Sequence, residues 1–149
     1  MNPIPIFVIG LNRNGTTWLG NVLSQCFDIS SPYHELHYGV CEVNLYDNAK
    51  YWGDFSQLNN YINFLESYCK ADVFKLLEGD QSWFRENRAE NFYQFFFETI
   101  DRFTQKQGNQ YWVVKLDPGF FHDAGEFDRF KKEVQKRYST AKYLSLIHI

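Results

Sequence analysis

The chain is 149 residues long, enough for one domain, and its 44% apolar and 22% charged content excludes disordered, collagen-like and low-complexity classes. A net charge of −3, from 15 basic and 18 acidic side chains, supplies no overall field for nucleic acid, so any anion must be bound locally. Aromatic residues reach 19% (15 Phe, 10 Tyr, 4 Trp), a surplus that points to covered surfaces as well as to a core.

In chain order, Pro3-Ile4-Pro5-Ile6-Phe7-Val8-Ile9-Gly10 is continuously apolar and closed by glycine, which predicts a strand covered on both faces, as in a parallel α/β sheet. The run is too short to span a bilayer, and no charged leader precedes it. The three cysteines, Cys26, Cys41 and Cys69, are odd in number and fit no metal spacing. No membrane segment and a reducing, cytoplasmic setting are therefore expected, and the Asn14-Gly15-Thr16 glycosylation sequon carries no weight without secretion.

Leu11 to Gly15 has turn chemistry, and from Thr16 the apolar residues Trp18, Leu19, Val22, Leu23 and Cys26 recur at helical spacing, predicting one inward face. A polar loop through Pro32 leads to His34-Glu35-Leu36-His37-Tyr38. Leu58, Ile62, Leu65 and Cys69 mark a second helix, and Phe92, Phe96, Ile100 and Phe103 a third, stopped by Gly108-Asn109. The added rings Tyr93, Phe95 and Phe97 predict that this third helix is packed on several sides. Tyr111 to Lys115 is a second buried strand, Asp117-Pro118-Gly119 a turn, and Phe127, Phe130, Val134 and Tyr138 mark a helix to about Arg137. Its Lys131, Lys132, Lys136 and Arg137 are expected to form a solvated face. Ala141 to Leu144 begins a third strand. No repeat or interdomain linker interrupts this alternation, which is that of an α/β layer fold.

The segment Gly10-Leu11-Asn12-Arg13-Asn14-Gly15-Thr16-Thr17 carries the two glycines of a phosphate loop between a strand and a helix. Such a loop turns successive amide N–H groups toward an anion, and the helix adds its positive end. A nucleoside triphosphatase needs lysine after the second glycine. Here that position is Thr16, and Arg13 is the nearby cation suited to forked contact with phosphate or sulfate oxygens.

With its flanks, Pro5-Ile6-Phe7-Val8-Ile9-Gly10-Leu11-Asn12-Arg13-Asn14-Gly15-Thr16-Thr17-Trp18-Leu19 resembles the 5′-phosphosulfate loop of sulfotransferases that use 3′-phosphoadenosine 5′-phosphosulfate. Asn14 stands where the family usually has serine. The resemblance covers about the first 25 residues. It implies a P-loop-type parallel sheet flanked by helices, that donor as co-substrate, and no metal. Arg13, Asn14, Gly15, Thr16, Thr17 and Trp18 would bind the donor. Glu35-Leu36-His37-Tyr38 is similar to the Glu-x-His-aromatic segment of carbohydrate sulfotransferases, which implies Glu35 as the base that deprotonates the acceptor, with His34 as its rival. A metal at His34, His37 and Cys41 matches no standard spacing. Trp112-Val113-Val114-Lys115-Leu116-Asp117-Pro118 resembles the family's strand ending in Lys-Ser/Thr-Pro, with one residue added. It implies that Lys115 orients substrate or neutralises the leaving phosphate, whereas the plain alternative is a strand-end lysine reaching into water.

The resemblance also implies a later Arg and Ser that grip the 3′-phosphate, and the sheet is expected to be incomplete at the carboxyl terminus. Leu144-Ser145-Leu146-Ile147-His148-Ile149 is identical to an in-frame translation of a transposon sequencing-adaptor end. Residues 1–143 are accordingly expected to be the amino-terminal part of a sulfotransferase-like domain and 144–149 a non-native tail. The leading expectation is sulfuryl transfer to a hydroxyl or amine of a small-molecule or carbohydrate acceptor. One alternative is a P-loop kinase or nucleotide hydrolase, for which Asp117 is the nearest Walker-B candidate. Another is a noncatalytic truncated product that keeps the fold.

Overall fold

The computed structural model describes residues 2–11, 15–31, 51–52, 55–116 and 124–146. In chain order these form β1 (Ile4–Ile9), α1 (Thr16–Ser24), β2 (Ile29–Ser30), α2 (Leu58–Tyr68), α3 (Asp72–Leu76), α4 (Gln81–Glu86), α5 (Phe92–Lys106), β3 (Tyr111–Leu116), α6 (Ala124–Arg137) and β4 (Lys142–Ser145). The strands make one parallel sheet in the order β2-β3-β1-β4, flanked by helices, and the fold is α/β as the apolar strand runs predict.

β1 lies inside the sheet although it contains Pro5, which has no N–H to donate. In a parallel ladder a strand turns alternately to its two neighbours. The Ile4 and Gly10 N–H groups donate toward the β3 side, to Gln110 and Leu116 carbonyls, while the Ile9 carbonyl accepts from Leu146 on the β4 side. Pro5 therefore faces β4, whose pairing with β1 begins only at Ile6, and the missing donor leaves no gap in the ladder.

Alternation along β1 and β3 creates two apolar layers. On one face Ile6, Val8 and Val113 pack against Leu19 and Leu23 of α1. On the other, Phe7, Trp112, Val114 and Leu116 meet the rings of α5 and α6. Phe7 is fully buried there, edge-on to Trp112 and Phe130 at 5.5 Å each and stacked on Tyr143 at 5.4 Å. Beyond them α2, α3 and α4 add Phe64, Tyr68, Phe74 and Phe84 around Phe92 and Phe95. The aromatic surplus is thus mostly core, and Phe92, Tyr93, Phe95, Phe96 and Phe97 are all buried, because α5 is packed on several sides.

Local capping explains where α5 starts and stops. The Asn91 side chain accepts from Gln94 N–H at 2.9 Å while the Gln94 side chain accepts from Glu90 N–H at 2.6 Å, so donors at the amino end are satisfied reciprocally. At the other end Gly108 takes φ +73°, and Asn109 and Gly108 donate to the Thr104 and Gln105 carbonyls, closing a Schellman motif. The chain then enters β3, whose amino end is tied to β2 by Asn109 Nδ2 donating to Ser30 Oγ and Gln110 N–H donating to Asp28 Oδ1.

Three readings of helix faces are corrected. Of the apolar stripe expected in α1, Leu19 and Leu23 turn inward beside the buried Thr16 and Gly20, while Trp18, Val22 and the following Cys26 are exposed. In α2 the buried set is Tyr61, Phe64 and Leu65, whereas Leu58 is exposed, because the helix packs through rings. Arg137 is not part of a solvated face. It donates to Asp101 of α5 at 2.9 and 2.7 Å and to Glu98 at 2.5 Å, with Lys136 outside it paired to Glu90. Sequence spacing also left β2, α3 and α4 unassigned, each too short to show a period.

The position of Phe7 makes a quantitative contrast. Phe7→Ala should cost about 3–5 kcal/mol of unfolding free energy in urea, as for a ring removed from a filled core, whereas Phe27→Ala, at a fully exposed ring, should stay within about 0.5 kcal/mol. Equal effects of the two would show that the core is misplaced.

Candidate functional site

The carboxyl ends of β1 and β3 lie side by side, with Val8 opposite Lys115 and Ile9 opposite Leu116. In open α/β sheets ligands bind outside these ends. β1 runs out at Gly10, and α1 begins at Thr16 after Gly15, so the amino terminus of α1 opens onto the crevice.

Two glycines make that turn sterically feasible for different reasons. A Cβ on Gly10 would fall 2.8 Å from Thr16 Cγ2 and 3.4 Å from Leu146 Cβ, so β1, α1 and the residue after β4 close on a bare backbone position. Gly15 sits at φ +79°, left-handed space that costs an L-residue about 1–2 kcal/mol, with nothing within 4 Å of its would-be Cβ. Thr16 is consequently buried against Gly10, and Leu19 N–H donates to the Gly15 carbonyl at 2.9 Å, starting the helix.

Gly15 caps α1 without a side-chain hydrogen bond, in contrast to Asp80 and Asn91, whose side chains accept from the first turns of α4 and α5. Among the described residues the first-turn amides of α1 are left without a side-chain acceptor. These amides carry the positive end of the helix dipole. Lys115 reaches the same place from β3. Strand alternation puts it on the α1 face with Tyr111 and Val113, opposite to Trp112, Val114 and Leu116. Its Nζ donates to Thr17 Oγ1 at 3.5 Å, across 98 residues of sequence. An ammonium and a helix amino terminus both attract negative charge, so the arrangement suits an anionic ligand. Trp18 follows with its indole largely in solvent, a flat apolar surface beside the turn.

Gly15, Thr16, Thr17 and Trp18 therefore form the amino end of α1, and Lys115 reaches that end at Thr17. Arg13, Asn14, His34 and Glu35 lie outside the described residues, as do His37, Cys41 and Asp117. No group of His, Cys, Asp and Glu able to hold a metal occurs among the described residues. No helix among them is long and apolar enough to cross a membrane. The sequence marks Gly10 as a strand terminator and as the first glycine of the loop, and the structure adds its close contact with Thr16. Its signal as a contact point is that it is followed, at helix-start distance, by a β-branched threonine whose methyl must go somewhere.

Gly10→Ala is expected to lower unfolding free energy by about 1–3 kcal/mol through overpacking, and Gly15→Ala by about 1–2 kcal/mol through backbone strain alone. Urea titration checks both, and wild-type stability in Gly10→Ala would contradict the close approach.

In the comparisons with known proteins, the family described as "Sulfotransferase family" matches residues 5–148. No curated protein and no solved structure matches the chain significantly.

Proposed function

The chain belongs to the sulfotransferase family, and from that premise we propose that the crevice holds the 5′-phosphosulfate of 3′-phosphoadenosine 5′-phosphosulfate and delivers its sulfuryl group to a hydroxyl or amine acceptor. The observation that carries this reading is the convergence of Lys115 Nζ and Thr17 Oγ1, 3.5 Å apart, at the amino terminus of α1. An ammonium, a hydroxyl and backbone amides aimed at one spot suit tetrahedral oxyanions and need no metal to balance their charge.

In this proposal the amides and hydroxyls of Gly15, Thr16 and Thr17, with Arg13 and Asn14, grip the phosphosulfate, and the exposed face of Trp18 offers a stacking surface for the adenine. Glu35 takes the proton from the acceptor O–H or N–H, and His34 is the neighbouring alternative. The freed lone pair forms the new bond to sulfur in line with the breaking bond between sulfur and the bridging oxygen. Electrons of that bond remain on the 5′-phosphate, and Lys115 neutralises the charge that develops there. The products are the sulfated acceptor and adenosine 3′,5′-bisphosphate. Acceptors of this chemistry are small molecules or carbohydrates. With threonine rather than lysine at position 16, the kinase alternative lacks the cation that holds β- and γ-phosphates.

Calorimetry tests the assignment. Adenosine 3′,5′-bisphosphate should bind without magnesium and more tightly than magnesium–ATP, and Lys115→Met should weaken it by about 10- to 100-fold, as for loss of a charge-assisted hydrogen bond. Glu35→Gln should leave that affinity intact while lowering turnover of hydroxyl and amine acceptors by about 10²–10⁴-fold. Tighter, magnesium-dependent binding of ATP would replace this reading with phosphoryl transfer.

A further inference from the structure

On the sheet face away from α1, a carboxylate sits where α5 would otherwise be apolar. Asp101 is 1% exposed and follows Tyr93 and Phe97 along the buried side of the helix. Its Oδ1 accepts from Trp112 Nε1 of β3 at 2.8 Å. Its Oδ2 accepts from the Tyr138 hydroxyl, just past α6, at 2.9 Å and from Arg137 Nε and Nη2 at 2.9 and 2.7 Å. Burial pushes the Asp101 carboxyl up to about 6, against the opposing pull of Arg137. Burying ions this way is costly, and apolar replacements of similar volume often serve stability equally well. What an apolar replacement lacks is direction, because only the carboxylate is bonded to fixed points on two other elements.

Those fixed points have a common destination. Trp112 precedes Lys115 by three positions in β3, and Tyr138 precedes Lys142, the first residue of β4, by four. β3 and β4 are the two strands that flank β1. At their far ends, β3 carries Lys115 to Thr17, while the residue after β4 donates its N–H to the Ile9 carbonyl at 2.8 Å, beside Gly10. Strands are stiff, and a slip of one residue turns every side chain to the other face. We propose that Asp101 is a positioning residue that sets, through Trp112 and Tyr138, where β3 and β4 lie along β1, and so holds Lys115 and the Gly10 turn in the geometry that receives the donor. This deepens the reading of the crevice given above and rests on it for the donor.

Three variants test it. Asp101→Asn keeps an acceptor for Trp112 but sets an NH2 against Arg137 and Tyr138, and Trp112→Phe removes the indole donor together with one ring of buried packing. Tyr61→Phe is the control: in α2 it removes a buried hydroxyl that donates to the Phe84 carbonyl and accepts from Ala89 N–H. Affinity for adenosine 3′,5′-bisphosphate and hydrogen exchange of the Gly10 and Leu146 amides are measured under conditions where each variant is folded. Asp101→Asn and Trp112→Phe should each weaken binding about tenfold and speed exchange at both amides about tenfold, with Tyr61→Phe within about twofold of wild type on both readouts at a comparable loss of stability. Wild-type affinity and exchange in Asp101→Asn, or the same losses in Tyr61→Phe, would overturn the proposal. If Asp101→Asn does not fold, Trp112→Phe decides. If the unmodified chain binds no bisphosphate, the donor assignment fails while the exchange comparison still decides whether Asp101 positions the strands.

Discussion

Parallel pairing of β1 with β3, in the register that sets Val8 opposite Lys115, is the constraint from which the site follows. With this register the side chain of residue 115 emerges on the α1 face, level with the end of β1 and within reach of Thr17. Shifted by one position, the lysine would point into the aromatic layer around Phe7 and Trp112, and an apolar residue would face the amides of α1. Register thus decides both whether the core is apolar and whether the crevice is positive.

The two faces of the sheet bear this constraint unequally. The face with α5 and α6 is thick, with interlocking rings from Phe7, Trp112 and Phe130 outward to Phe64 and Phe84, and it contains the ion cluster of Asp101 and Arg137. Among the described residues the other face is covered by α1 alone, held by Leu19, Leu23 and the contact of Thr16 with Gly10. The candidate site lies on the α1 side. Lys115, on β3, belongs to a strand whose other face is packed by Trp112, Val114 and Leu116 into the aromatic layer. α1 itself carries no charged residue, and Trp18 and Val22 are its exposed large apolar side chains.

Much of this was legible in the chain and some was not, for identifiable reasons. β1 and β3 announce themselves as continuous apolar runs, and the glycine-bounded turn before Thr16 carries its own chemistry. The inward stripe of α1 was read too wide because Trp18 and Val22 are as apolar as Leu19 and Leu23, and no charge marks the outer side. Two-residue β2 has no period to detect. Arg137 looked like one more surface cation because its partner, Asp101, is 36 positions away and disguised as an interruption in an aromatic helix. β4 pairs through its backbone, which is indifferent to which side chains the last residues carry. Lys115 and Thr17 were each nameable as candidate site residues, but their approach depends on a register that no local pattern encodes. For Arg13, Asn14, His34 and Glu35, which lie outside the described residues, the sequence motif is the support.

The central claim is that the amino terminus of α1, with Lys115 beside it, is where the donor's anion sits. Its most direct test is a nitrogen-15 amide titration with adenosine 3′,5′-bisphosphate in the absence of magnesium. The account predicts that the Gly15, Thr16 and Thr17 amides shift first and most, in step with the Lys115 amide. Saturable binding that moves residues elsewhere and leaves those three amides and Lys115 unchanged would contradict it.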